Sequence, residues 1–591
     1  MRELSPNALR VLSARYLRRD AKGQVVETPE ALVERVARGV AHAELLLGSA
    51  REAARWQETF AAVIEARDFL PSSPTLMNAG TPLGQLAACF VLPVEDSMES
   101  IFGAVRAMAL VQRTAGGTGF SFSALRARGE VVASTGGEAS GPVSFMRVFD
   151  CATEHVKLGG RRRGANMAVL RVDHPDILEF VDAKRDGTSL GNFNLSVAVP
   201  DRFMAAVRAD GEYDLVHPGT NRTARRLPAR VVFDRIVEAA WATGDPGLLF
   251  VDAVNRANPV PALGAIEATN PCGEVPLLPY ESCVLGSVNL ANMVRTVGDR
   301  AEVDWARLGR TVRIGIRFLD DVVEVNREPL PEIAAATRRT RKVGLGVMGF
   351  AECLIALGVP YGSDESVAWA DRIMTFVDEE ARQASRDLAE ERGPFPAWGE
   401  STFAARGEPI RNATRLSIAP TGTIGIIAGT SGGIEPLFAL AYRREHTLGG
   451  EPLVEVNPLF VRHARRHLRD AERVIDEVVA RVSLQGVPGV PEAVRRLFVT
   501  ATEVSAHDHL RVQAAFQAHV DNAVSKTINL PERATPAEVG DAYLEAHRMG
   551  LKGVTVFRSG SKGRQVLTLG VGERAESREY FASCDPDACR M

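Results

Sequence analysis

From about residue 85 to residue 560, short apolar runs alternate with longer amphipathic ones, and this constrains the fold more than any other feature of the chain. AACFVLPV, ANMAVLRV and NLSVAVP have the length and apolar content of buried strands. SMESIFGAVRAMALVQRTA, HPDILEFVDAKR and VVFDRIVEAAWATG repeat apolar residues at helical spacing. Strands separated by helices over so long a stretch predict an α/β fold around a largely parallel sheet. Ahead of it, residues 1–70 read as a helical region, because ALVERVARGVAHAELLLGSAREAARWQETFAAVIEARDFL contains few breakers. PSSPTLMNAGTPLG then imposes loop or turn. After about residue 565 the chain becomes polar and reads as a mobile tail. The expected organisation is thus a helical region at 1–70, an α/β body at 71–565 and a tail at 566–591.

Composition removes several function classes. The 591 residues carry 70 Lys+Arg against 74 Asp+Glu, a net charge of −4, which argues against a surface that coats nucleic acid. No uncharged apolar run approaches the roughly 20 residues a membrane span needs. The opening MRELSPNALRVLSARYLRRD is charged throughout and has no apolar signal core, so a soluble cytoplasmic protein is expected. Seven cysteines are too sparse for a disulfide scaffold, and without a C-x-x-C pair no protein-held metal is expected. Cys584 and Cys589 stand apart in the terminal CDPDACRM. A thiol pair on a chain end suits redox work, the plain alternative being two accidental surface cysteines.

Three stretches rich in Gly and small polar residues read as loops able to present backbone N–H groups to an anion: TAGGTGFSFS (114–123), GGRRRGANM (159–167) and APTGTIGIIAGTSGG (419–433). Arg161, Arg162 and Arg163 in the second favour a phosphorylated ligand. Gly344, Gly346 and Gly349 spell G-x-G-x-x-G, but basic residues and not an apolar strand precede them, so they read as close backbone packing at a helix start.

The segment ATNPCGEVPLLPYESCVLGSVNLAN (268–292) carries the chemistry. Asn270, Cys272 and Glu274 alternate, and in extended backbone they share one face. A thiol flanked by an amide and a carboxylate is a reactive set, with Glu274 as proton acceptor or donor and Asn270 as holder of a substrate hydroxyl. Pro271 stiffens the approach and Gly273 permits a sharp bend. Cys283 follows eleven residues on.

FLPSSPTLMNAG, ACFVLPVEDSMESI, GGTGFSFS, GGRRRGANM, NPCGE, ESCVLGSVNLAN, PTGTIG and the terminal C-x-x-x-x-C occur in one order. This ordered set, running from about Phe69 to the end of the chain, resembles the ribonucleotide reductases, specifically the adenosylcobalamin-dependent class II enzymes. The resemblance implies a ten-stranded α/β barrel of two parallel five-stranded half-sheets behind a helical N-terminal region. It implies Cys272 as the radical cysteine that takes the ribose 3′-hydrogen, Glu274 as acceptor of the 3′-hydroxyl proton and Asn270 as ligand of the ribose hydroxyls. Cys89 and Cys283 become the reducing pair. Cys584 and Cys589 re-reduce that pair and exchange with a thioredoxin or glutaredoxin-like donor.

Further residues follow from the same resemblance. Ser73, Ala88, Cys89, Gly117 and the run Asn270, Pro271, Cys272, Gly273, Glu274 are implied substrate contacts. Pro420, Thr421, Gly422, Thr423 and Ile424 are the implied diphosphate cradle. Asp96, Ser97, Met98, Arg113, Arg126, Lys157 and Arg162 are implied to bind dNTP or ATP effectors. Ribonucleoside diphosphates are the expected substrates, with triphosphates left open, and a homodimer is expected. No separate ATP-binding N-terminal domain is expected.

The class rests on elimination. Class I large subunits use a Tyr-Tyr pair where this chain has Thr555 and Val556, and no glycyl-radical motif of class III is present. No D-x-H-x-x-G cobalamin motif occurs, in keeping with class II. The competing readings are a class I-type large subunit fed by a separate radical-generating subunit, and a catalytically inactive nucleotide-binding regulator. The intact set Cys89, Asn270, Cys272, Glu274 and Cys283 argues against the second. Cys151 and Cys353 fall in helical segments and are expected to be core residues.

Overall fold

The computed structural model describes residues 4–132, 136–156, 164–298, 300–444, 453–481, 483–561, 567–569 and 576–578. Its centre is a closed ring of strands. After β1 (Phe69–Pro71), the strands β2 (Cys89–Val91), β3 (Gly117–Ser121), β4 (Asn166–Arg171), β5 (Phe193–Val199) and β6 (Gly247–Phe250) pair in parallel, each with the next. A short hairpin follows, β7 (Ala268–Thr269) with β8 (Pro276–Leu277). The second half contains β9 (Ser282–Asn289), β10 (Val343–Met348), the segment 414–418, the segment 523–530 that includes β11 (Thr527–Leu530), and β12 (Gly553–Arg558). These too run parallel: β9 with β10, Leu345 with Leu416, Ile418 with Val524, and β11 with β12.

Each half therefore has five strands, and the halves meet at two antiparallel seams. At one, Cys283 of β9 stands opposite Cys89 of β2. At the other, Gly553 and Val554 of β12 pair with Leu249 and Leu248 of β6. β1 extends the first seam outward, Phe69 opposite Val288. The architecture is the predicted ten-stranded barrel.

Tight packing explains glycines that looked like loop or cofactor signals. TAGGTGFSFS, read as loop, supplies β3. A Cβ on Gly119 would lie 1.8 Å from the Thr269 carbonyl oxygen, so the β7–β8 hairpin lies directly on β3. The G-x-G-x-x-G stretch is also a strand, β10, despite the basic residues before it. A Cβ on Gly346 would meet the Ser417 carbonyl oxygen at 2.3 Å, and Gly349 has φ +74° where the helix Phe350–Leu357 begins. Close approach, not nucleotide binding, accounts for all three glycines.

The helical region begins with Pro6–Val11 and a π turn, Leu12–Tyr16, followed by the helices Pro29–Leu47 and Ala50–Glu65. Thr28 and Ser49 cap the two long helices through the N–H groups of Ala31 and Glu52. These helices dock on Trp305–Val325 through a buried charge cluster. Glu44 accepts from Arg317 at 2.5 and 3.0 Å and from Arg392 at 2.7 Å. Arg392 also reaches Asp321 at 2.7 Å, and Arg341 reaches Asp320 at 2.8 Å. Burial alone would raise the Glu44 and Asp320 carboxyls, but the guanidiniums outweigh it and hold both below their usual range.

Cys353 is buried as expected, its thiol pushed up to about 12 by burial. Cys151 is not a core residue: it is exposed on the helix Pro142–His155, whose buried face is carried by Val143, Met146, Phe149 and Thr153. Among the described residues no helix is long and apolar enough to cross a membrane.

Candidate active site

The β7–β8 hairpin carries residues 270–275 at its tip. Asn270, Cys272 and Glu274 do not lie on an extended strand as the alternation suggested. Residues 271–274 form a turn, and Gly273 takes φ +82°, a left-handed conformation that glycine adopts without strain. The turn is fixed through its main chain by both half-sheets. Asn194 of β5 donates to the Pro271 carbonyl at 2.8 Å. Ser417 and the Ala523 N–H, both from the second half, donate to the Glu274 carbonyl at 2.9 Å. A turn gripped from both halves sits inside the ring, and Cys272 within it is exposed.

Reversing the chain within four residues brings the flanking side chains onto a common target. The Asn270 amide donates to Cys89 Sγ at 3.1 Å, and Cys89 Sγ lies 4.0 Å from Glu274 Oε1. Asn270 Oδ1 also accepts from the Val275 N–H at 3.0 Å, which fixes the amide's orientation. Cys89 faces Cys283 across the first seam. Facing residues of an antiparallel pair have Cα atoms about 4.5–5.5 Å apart, inside the range a disulfide spans. Both thiols are buried, and burial pushes Cys283 far above an ordinary thiol, with Lys342 pulling the other way. Cys283 is therefore held as S–H, the form that can give up hydrogen.

The remaining sequence-derived residues lie in several places. Ala88 and Gly117 flank the turn: Gly117 packs on Pro271, where a Cβ would lie 3.1 Å from the ring. Ser73 opens the helix Ser73–Asn78, and Tyr16 holds its hydroxyl at 2.7 Å. Pro420 to Ile424 lead into the helix Gly422–Ala428, with Thr421 at φ +51° and its hydroxyl accepting from the Gly433 N–H at 2.7 Å. Asp96 and Arg126 meet at 2.7 Å, beside Ser97, which caps the helix Met98–Gln112, and Met98, which begins it. Arg113 is not part of that group. It closes the opposite end of the same helix, about 22 Å away at 1.5 Å per residue. Lys157, Arg162, Cys584 and Cys589 lie outside the described residues.

Sequence reasoning missed Arg15, Tyr16, Asn194 and Ser417. The last two act on main-chain carbonyls from remote segments, which no local motif announces. It singled out Thr555 but missed Ser196 and Gly247, which line the second seam with it. Ser196, two residues from Asn194, shares its inward face. A Cβ on Gly247 would lie 3.7 Å from the Ser196 hydroxyl and 3.2 Å from that of Thr555. The inner wall beside the Cys272 turn is thus built of Ser196, Gly247 and Thr555, all small.

Comparison with known proteins agrees with this geometry. The profile of the ribonucleotide reductase barrel domain matches residues 87–408 and 404–557, and that of the all-alpha domain of the same enzymes matches residues 2–84. A vitamin B12-dependent ribonucleoside-diphosphate reductase of Mycobacterium tuberculosis is 53% identical over 100% of this chain and 83% of its own length. One of Thermoplasma acidophilum is 44% identical over 98% of this chain and 82% of its own. A vitamin B12-dependent ribonucleotide reductase of Streptomyces avermitilis is 32% identical over 95% of this chain and 66% of its own. A seam that sets two thiols face to face beneath a gripped cysteine turn, in a chain matched from end to end by such relatives, places this protein in the ribonucleotide reductase family.

Proposed function

We propose that the chain is an adenosylcobalamin-dependent ribonucleoside-diphosphate reductase. The observation that carries this reading is the convergence of Asn270, Glu274, Cys89 and Cys283 around the turn that presents Cys272. Cys272 takes the 3′-hydrogen of the ribose while Glu274 accepts the 3′-hydroxyl proton and Asn270 holds the hydroxyls. The 2′-hydroxyl leaves as water with a proton from the thiol pair. Cys89 and Cys283 supply two electrons and the hydrogen that goes to C2′ and end as a disulfide, Glu274 returns its proton to the 3′-oxygen, and Cys272 returns its hydrogen to C3′. The balance is ribonucleotide plus dithiol to deoxyribonucleotide, disulfide and water. A closed ring around these residues keeps bulk water off the reacting carbon.

The residues fit the cofactor. Cobalamin brings its own equatorial ligands, and among the described residues no group of His, Cys, Asp or Glu forms a metal site that would compete with it. Ser196, Gly247 and Thr555, neighbours across the second seam, are small where class I enzymes place two tyrosines. When bound, the cofactor supplies the radical that activates Cys272.

Cys584 and Cys589 re-reduce the internal disulfide and exchange with thioredoxin or a glutaredoxin-like donor in the cytoplasm. Asp96, Ser97, Met98 and Arg126 bind a deoxynucleoside triphosphate effector. The exposed Met98 and Phe102, one helical turn apart, are apolar residues on the face offered to a second copy in a homodimer.

The test is turnover of the purified chain with and without adenosylcobalamin. Cobalamin-dependent deoxynucleotide formation supports the reading. Activity only with an added radical-generating subunit would move the chain to class I chemistry. Replacing both Cys584 and Cys589 by Ser should stop thioredoxin-driven turnover while dithiothreitol sustains it, and normal turnover with thioredoxin would make the tail cysteines incidental.

A further inference from the structure

The cradle residues Ser73, Ala88, Gly117, Pro420, Thr421, Gly422, Thr423 and Ile424 share one property: none is charged. A diphosphate carries more than one negative charge at neutral pH. Neutral donors can hold its oxygens, but a partly buried anion without a nearby cation is costly. The structure brings a cation to this place from a region that looked purely supportive. Arg15 Nη1 donates to Thr423 Oγ1 at 3.4 Å, and the next residue, Tyr16, pairs its hydroxyl with Ser73 Oγ at 2.7 Å. Two hydroxyls from segments far apart in the chain are thus spanned by two consecutive residues of the N-terminal segment.

The placement is built. Tyr16 is 2% exposed and anchors the π turn Leu12–Tyr16 against the Ser73 loop. The preceding helix Pro6–Val11 packs on Gly422–Ala428. Arg15 is half-buried between these anchors. A guanidinium offers five N–H donors in a fork that matches phosphate oxygens, and this one stands beside a hydroxyl of the cradle.

We infer that Arg15 supplies the positive charge of the diphosphate site, so that the N-terminal segment forms one wall of the substrate pocket, with Tyr16 positioning both Arg15 and Ser73. This rests on the reductase reading above. The ligand group is the diphosphate, not the base or the sugar.

The test compares the full-length chain with Arg15→Gln, Arg15→Lys and Arg15→Ala, using a ribonucleoside diphosphate and the matching nucleoside as probes in equilibrium binding. Arg15→Ala and Arg15→Gln should weaken diphosphate binding about 10- to 100-fold, the weight of a charge-assisted hydrogen bond, and leave nucleoside binding as it was. Arg15→Lys should recover much of the loss. Added salt should weaken diphosphate binding by the parent chain more than by Arg15→Gln. In steady state the loss should be read in KM. Unchanged diphosphate affinity in Arg15→Gln would overturn the assignment. So would an equal loss for nucleoside and diphosphate, which would make Arg15 a structural support. A parent chain that binds no ribonucleoside diphosphate at all would instead overturn the reductase reading, and this assignment with it.

Discussion

The cluster around Glu44 and the cluster around Cys89 are both buried and polar, and both join segments far apart in the chain, but they hold their partners by different means. Around Glu44 the holding is done by side-chain charge: carboxylates of the N-terminal helices and of Trp305–Val325 against Arg317, Arg341 and Arg392. Around Cys89 the reactive turn is held through its carbonyls, by Asn194, Ser417 and the Ala523 N–H. Main-chain anchorage fixes the turn at Pro271 and Glu274 through groups other than the side chains of Asn270, Cys272 and Glu274. Substitution should accordingly cost function at one cluster and stability at the other.

The largest expected effect is at Cys272. Cys272→Ser should reduce deoxynucleotide formation to background, with nucleotide binding and melting temperature nearly unchanged, because the turn is anchored through the Pro271 and Glu274 carbonyls. A large drop in melting temperature would break the contrast, and substantial turnover would show that another group starts the reaction. Glu44→Ala reverses the pattern. Removing one partner of a buried ion cluster costs about 3–5 kcal/mol. Urea unfolding should show a loss of that size, with per-site turnover of the folded protein retained at 25 °C. An unchanged midpoint would mean that the helices dock mainly through apolar contact.

Glu328 sharpens the comparison, because its carboxylate lies against the strand that carries Cys283. It accepts from Ser282 on β9 at 2.6 Å and from Asn326 at 2.7 Å, and burial raises it from 4.5 to about 7. A raised acid gives its full stability below the unfolded value, and that stability is lost as pH rises through the folded one. The parent chain should thus lose on the order of 1–3 kcal/mol between pH 5 and pH 8, and Glu328→Gln should flatten the profile. A pH-independent parent would contradict the shift. Among the substitutions expected to change stability, Ser417→Ala should cost the least, about 1 kcal/mol for one lost hydrogen bond. It should still slow turnover disproportionately, since it loosens the turn carrying Cys272 and Glu274. Equal retention of both properties would mean that Asn194 and Ala523 suffice.

The fold was readable where patterning is local. AACFVLPV, ANMAVLRV and NLSVAVP became β2, β4 and β5 because apolar β-branched runs have few other stable places to go. β3 and β10 were obscured by glycines, which signal loops in isolation and here mark backbones pressed together. Asn270, Cys272 and Glu274 were found by residue type, but their arrangement was not, because a turn and a strand allow the same spacing until the tertiary partners are known. Arg113 was grouped with Asp96 although a full helix separates them. Arg15 was invisible as a site residue because its significance arises only from what Thr423 and Ser73 place beside it.

The two seams give the barrel a property that its strands do not have individually. Among the described residues they are the places where strand direction reverses around the ring, and Cys89 and Cys283 face each other across one of them. A bond between these thiols would be a clasp, joining one half-sheet covalently to the other. Each catalytic cycle would then leave the barrel clasped and each reduction would release it, so that the oxidised protein is mechanically a different object from the reduced one. The wall opposite, lined by Ser196, Gly247 and Thr555, has no such clasp. Breathing of the barrel would be concentrated there and would be tightest at the seam of Cys89 and Cys283.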